Sequence, residues 1–159
     1  MSSSAPPSLS VFNVFWLLHV IVEMPVALLA FFKPQDFPLA GLNDTTVLIM
    51  RLLATMLLTS CLASLLCFGL PDYLPGKRAF AMHLLLFHGF ISAIFLQVRD
   101  GIIFFELPKF VLELIPAAAQ VKNTVWIAAT HGLVSFVAVL WWQATLPLVK
   151  AVTAHAKAE

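Results

Sequence analysis

Residues 11 to 32 read VFNVFWLLHVIVEMPVALLAFF, an apolar run that carries a histidine and a glutamate, His19 and Glu23, four positions apart. Crossing the hydrocarbon core of a bilayer takes about 20 consecutive apolar residues of α-helix, and this stretch supplies them before Lys33-Pro34-Gln35-Asp36 interrupts it. Lipid leaves no water to satisfy an open backbone, and the run is too long and too evenly apolar for an alternating barrel strand. A membrane-spanning helix is the expected structure.

The rest of the chain repeats the pattern. Of its 159 residues, 61% are hydrophobic and 11% charged, far from the balance of a soluble domain, and the mean hydropathy is +0.97. Further apolar runs cover about 46–70, 79–98 and 124–149. The segment Pro71-Asp72-Tyr73-Leu74-Pro75-Gly76-Lys77-Arg78 separates the second from the third. The expected fold is all-α: an integral membrane four-helix bundle, with residues 1–159 forming one transmembrane domain. The opening MSSSAPPSLS lacks the basic n-region of a secretory signal and is expected to be retained. A net charge of +1 offers no basic field for nucleic acid. Cys61 and Cys67 have no metal-type or redox spacing and are read as packing residues.

The third connection differs from the others. In IIFFELPKFVLELIPAAAQ, residues 102–120, Glu106, Lys109 and Glu113 recur at i, i+3 and i+7 among phenylalanines and leucines. This predicts a short amphipathic helix over about 102–116 between spans three and four, lying at the interface or folding back as a lid. Basic residues nearly balance across the two faces, so the positive-inside rule leans only weakly towards cytosolic termini.

Residues at i, i+3, i+4 and i+7 share a helix face, and each span has a polar line on this spacing. The first aligns Trp16, His19 and Glu23. The second aligns Arg51, Thr55 and Thr59. The third aligns His88, Ser92 and Arg99, with Asp100 just beyond, and the fourth aligns Thr124, His131, Ser135 and Trp142. At about 1.5 Å per residue, Glu23 and His88 fall near mid-membrane, and Arg51, Arg99 and Asp100 near the face bearing the first and third connections. The expected object is a pocket with cations at its mouth and Glu23 on its floor. The hydroxyls of Thr55, Thr59, Ser92 and Ser135 are expected to be interhelical glue. His83 is expected at the interface, and Trp141-Trp142 in an aromatic belt.

A charged residue at the centre of a membrane helix costs roughly 2.5–3.5 kcal/mol, so burial favours a neutral, protonated Glu23, which is a ready general acid. His19 would tune it. Asp100 or His131 would act as base, with His88 and His131 facing Glu23 across the bundle. Arg51 and Arg99 would order water or a substrate hydroxyl, and Trp16, Phe87 and Phe95 would stabilise positive charge developing on carbon. Such a site suits epoxide opening or alkene protonation on a lipophilic small molecule that arrives through the bilayer, without a cofactor or metal.

Four short spans, the carboxylate in HVIVEMP, the histidine in LLLFHGF and the polar third connection together resemble the small membrane-bound terpene cyclases and epoxide hydrolases of fungal polyketide and meroterpenoid pathways. That resemblance implies opening of an epoxide, made by a flavin monooxygenase, to a diol or cyclic ether. It carries over Glu23 as the acid, and it is the source of the epoxide. The expected location is the endoplasmic reticulum membrane; homo-oligomerisation stays open. The stretch WLLHVIVEMPVALLAFF is also similar to the first helix of the four-helix sterol isomerase and sigma-2 receptor group, which would imply binding or isomerising a sterol-like lipid. The second span, however, has Arg51 where that group places an acidic residue. A haem or metal protein, a channel or transporter subunit and a non-catalytic membrane adaptor rank lower: no span carries paired histidines, and an adaptor leaves the midplane titratable groups unexplained.

Overall fold

The computed structural model describes residues 13–98, 102, 113–115 and 121–158. Its helices are α1 (Val14–Phe32), α2 (Asp44–Phe68), α3 (Pro75–Phe95) and α4 (Asn123–Ala158), with a short 3-10 turn over Pro34–Asp36. All four are long and apolar enough to cross a membrane. The chain is an all-helical, multi-pass membrane protein by length and composition.

Local chemistry sets the ends. Pro34 stops α1, since it has no N–H for a continuing helix and restricts Lys33 before it. Gly41 adopts φ 72° in the first connection, a backbone conformation that L side chains rarely enter. Asn43 caps α2, its Oδ1 accepting from the Thr46 N–H at 2.9 Å. Pro75 begins α3 at a position where a missing N–H costs nothing.

Side-chain contacts give the topology. Asn13, just before α1, donates to the Phe68 carbonyl at the end of α2 (3.0 Å), so α1 and α2 run antiparallel. Trp16 of α1 stacks on Phe80, early in α3, while His19 meets His88 further along, so α1 and α3 run parallel. Trp141, late in α4, packs on Trp16, whereas the earlier His131 meets Glu23, so α4 runs against α1. The order is up-down-up-down. The Ala40 N–H also donates to the Ile102 carbonyl (2.8 Å), joining the first and third connections on one face.

Small residues let the helices approach, as membrane packing without a hydrophobic driving force requires. Ala27, Ala30, Ala54, Ala81, Ala128 and Ala138 are all buried. Between α3 and α4, Ser92 Oγ donates to the Ala128 carbonyl (2.7 Å) and Ser135 Oγ to the Leu85 carbonyl (3.1 Å). A Cβ on Gly132 would meet Ser92 Oγ at 3.3 Å, and one on Gly89 would meet Ser135 Oγ at 3.4 Å. A larger side chain must therefore separate the pair: Gly132→Leu is expected to lower the thermal midpoint in detergent clearly, Gly132→Ala only slightly, and equal midpoints for Leu and parent would refute the close approach.

Two apolar clusters flank the middle of the bundle. Phe15, Trp16, Cys67, Ala81, Leu84, Val134, Ala138 and Trp141 fill the end near the termini, and Ala30, Met50 and Ala54 the opposite end. The polar residues of α1, α3 and α4 meet between them.

Helix limits differ from the sequence expectation by a few residues, except at the C-terminus. There α4 continues through Pro147 to Ala158 for 36 residues, about 54 Å at 1.5 Å per residue against a core of about 30 Å. Hydropathy ends a span where the apolar run ends, but nothing stops a helix there, and residues 151–158 are exposed. Most of the predicted interfacial helix over 102–116 lies outside the described residues, as do Arg99 and Asp100. The topology predicts that single cysteines at Ser3, Gly76 and Ala158 react with an impermeant thiol reagent from one side, and at Gly41 and Gln120 from the other. Reaction at position 41 from the terminal side would overturn the arrangement.

Candidate functional site

His19 and Glu23 lie one turn apart on the buried face of α1, with relative exposures of 0% and 3%. Pro25, two residues on, is inside α1, so the carbonyl four residues before it has no helical N–H to accept. Helix α3 brings fully buried His88 against them, and α4 brings His131, whose side chain is 13% exposed. The Glu23 Oε1 atom lies 3.3 Å from His131 Nδ1 and 3.5 Å from His88 Nδ1. His88 Nδ1 and His131 Nδ1 are 2.9 Å apart. Three helices thus place a carboxylate and two imidazoles in mutual contact, with His19 behind them: His19 Nδ1 is 2.9 Å from His88 Nε2.

A residue of α2 gives the histidine chain its polarity. Ser60 Oγ donates to the Leu57 carbonyl at 3.0 Å, leaving its lone pairs for His19 Nε2 at 3.1 Å. His19 then carries its proton on Nε2 and accepts at Nδ1 from His88 Nε2–H. This assignment follows from satisfying each atom in turn. It leaves His88 Nδ1 without a proton, facing both His131 Nδ1 and Glu23 Oε1. Glu23 Oε1 itself is sealed from solvent and has no hydrogen-bond partner.

Two occupants suit this arrangement. With protons alone, His131 Nδ1–H donates to His88 Nδ1, and a hydrogen-bonded path runs from His131 through His88 and His19 to Ser60. Alternatively a cation sits among the lone pairs of Glu23 Oε1, His88 Nδ1 and His131 Nδ1, beside His19, whose ligand atom lies within 4.8 Å of those of Glu23 and His88.

The aromatic residues divide. Phe95 stacks on His131 (centroids 6.3 Å, planes at 8°) and Phe87 presents an edge contact to His88 (5.3 Å). These two flank the cluster. Trp16 does not; it is fully buried between Phe15, Phe80 and Trp141 in the apolar cluster near the termini. Trp141 is likewise 2% exposed, a core residue in place of the expected belt. His83 is exposed and stacks between Phe80 and Phe87.

The polar line of α2 also falls differently. Arg51 is exposed, as are Thr55 and Thr59, whose hydroxyls donate to carbonyls of their own helix (Arg51, Thr55 and Met56). The side of α2 that packs on the bundle carries Met50, Ala54, Leu57, Cys61, Ser64 and Cys67, so Arg51 points away from Glu23. Ser60 is the contribution of α2 to the site. It lies three residues after buried Leu57 and four before buried Ser64, on the border of the inward face, but a single serine in an apolar span names no partner; His19 on α1 reveals it.

Lys77 and Arg78 are the other residues that sequence reading missed. Taken as face charges, they are 2% and 7% exposed. Lys77 Nζ bonds Asp72 Oδ1 (2.6 Å), the Leu70 carbonyl (2.7 Å) and Asn13 Oδ1 (3.1 Å). Arg78 donates to Thr145 Oγ1 (2.6 Å) and lies 3.9 Å from the centre of the Trp142 ring. Comparison of the chain with family models, curated proteins and solved structures gave no match.

Proposed function

We propose that this chain is an integral membrane enzyme that opens an epoxide of a lipophilic polyketide or terpenoid by acid/base catalysis, giving a diol or cyclic ether, and that it works in the endoplasmic reticulum membrane. The observation that carries the acid/base reading is the buried contact of Glu23 with His88 and His131, backed by His19. Charge burial at this depth is expensive, and interhelical glue calls for one or two polar contacts, not for four titratable groups from three helices. The epoxide rests on the resemblance of the first and third helices to membrane-bound terpene cyclases and epoxide hydrolases.

In this reading Glu23 delivers a proton to the epoxide oxygen as one C–O bond breaks. Water, or a hydroxyl of the same substrate, forms the new C–O bond at the carbon left electron-poor and gives its proton to His131, the most open member of the cluster. Transfer through the neighbouring imidazoles returns the proton to Glu23, so the site ends as it began. Phe87 and Phe95, packed against His88 and His131, are the rings placed to stabilise the developing cation.

The test is mass spectrometry of lipophilic metabolites in a producing host with and without the chain. Deletion is expected to accumulate an epoxide that the purified protein converts to an isomer or a hydrate. An unchanged metabolite profile, together with no conversion of epoxide-bearing polyenes in vitro, would sink the proposal.

A further inference from the structure

We infer that Glu23, His88 and His131 together hold a divalent first-row transition ion of the zinc class, with His19 and Ser60 orienting His88 behind it. Glu23 Oε1, His88 Nδ1 and His131 Nδ1 form a triangle with edges of 2.9, 3.3 and 3.5 Å. A point about 2.0–2.1 Å from all three corners, the ordinary Zn–N and Zn–O bond length, lies just off the plane of such a triangle. Two imidazoles and a carboxylate are a ligand set that divalent zinc and iron sites use, with positions left open for water or substrate.

Three further features point the same way. Glu23 Oε1 is buried without a hydrogen-bond partner, which a carboxylate tolerates poorly unless a cation faces it. The chain from Leu57 through Ser60 and His19 leaves the lone pair of His88 Nδ1 aimed into the triangle. A metal-bound histidine characteristically gives its other ring N–H to a fixed acceptor, which sets tautomer and ring orientation; His88 Nε2–H has that acceptor in His19 Nδ1. With the ion present, His131 carries its proton on Nε2 and turns Nδ1 to the metal.

The inference replaces the proton-delivery step of the epoxide reading and rests on that reading only for what the ion is for. A bound ion would polarise the epoxide oxygen directly and hold the attacking water, with Glu23 as ligand in place of proton donor. Occupancy itself needs no substrate. The experiment is elemental analysis of the full-length protein purified in mild detergent without chelator, followed by stripping and reloading with cobalt(II), whose visible bands report coordination.

About one ion per chain is expected in the parent. Glu23→Gln, His88→Gln and His131→Gln should each lower the metal content at least tenfold while the helical circular dichroism is kept. Ser60→Ala should retain the ion with shifted cobalt bands and weaker retention, by the 10–100-fold typical of lost outer partners, and Ser60→Thr should restore both. His83→Gln should match the parent. A parent chain free of metal that takes up neither zinc nor cobalt would overturn the inference and leave the proton-only reading standing. A stoichiometric ion without any epoxide conversion would do the reverse. Variants that fail to fold are bypassed by adding cobalt to the stripped parent, where absence of visible bands also overturns the site.

Discussion

Glu23→Gln is expected to fold as the parent does and to lose at least about 10²-fold in turnover, the usual size of a lost general acid. The substitution is nearly isosteric, and Glu23 Oε1 makes no hydrogen bond whose loss would be felt. What disappears is the proton, or in the metal-bound state the anionic ligand. Either loss falls on the chemical step, because the amide can neither donate an acidic proton nor neutralise a cation. The measurement is kcat on the epoxide identified by metabolite analysis, normalised to folded protein by circular dichroism. Glu113→Gln is the control, since Glu113 is exposed. Turnover at the parent rate in a folded Glu23→Gln protein would return Glu23 to structural glue.

His131→Gln separates roles within the cluster. If His131 takes the nucleophile's proton, kcat falls and KM holds; a change in KM alone would make it a wall residue beside Phe95.

The four spans could be read from hydropathy because lipid imposes one rule on every residue of a crossing segment. The convergence of Glu23, His88 and His131 was likewise legible, since a polar residue mid-span has nowhere to go except inward. Faces were harder. The line of Arg51, Thr55 and Thr59 has the same spacing as the line of His19 and Glu23, yet it faces outward, because a threonine hydroxyl can satisfy itself on the carbonyl one turn back and needs no neighbour. Trp16 and Trp141 read as interfacial or substrate-facing from composition, but each is large enough to serve as the core of a thin bundle, and they pack on each other at 5.4 Å. Lys77 and Arg78 look like loop charges in a segment with two prolines. Their burial depends on Asn13, Asp72 and Thr145, partners set by the fold and not by spacing.

Lys77 leads to the largest expected effect on stability. Its ammonium has three protons and three acceptors within reach, Asp72 Oδ1, the Leu70 carbonyl and Asn13 Oδ1, and it lies 5.4 and 5.8 Å from the Trp16 and Trp141 ring centres. It therefore joins the start of α1, the turn after α2 and the first turn of α3. Lys77→Met keeps the aliphatic stem but strands Asp72, itself 9% exposed, and removing one partner of a buried pair costs roughly 3–5 kcal/mol. The double variant Lys77→Met with Asp72→Leu leaves no orphaned charge and should recover a large part of that loss, although the Leu70 carbonyl and Asn13 still lose their donor. Asp72→Asn, which keeps an acceptor, should cost less than Lys77→Met. The measurement is the unfolding free energy in mixed micelles of the parent, Lys77→Met, Asp72→Leu and their double variant, read as a double-mutant cycle, with Asp72→Asn measured beside them. Because the same clamp fixes the register of α1 against α3, and hence of His19 against His88, Lys77→Met should also lower turnover per folded molecule, and the charge-free double variant should restore it in part. A Lys77→Met protein as stable as the parent would show that Asp72 reaches water without its partner, and would remove the clamp from the account of how the histidines are held in line.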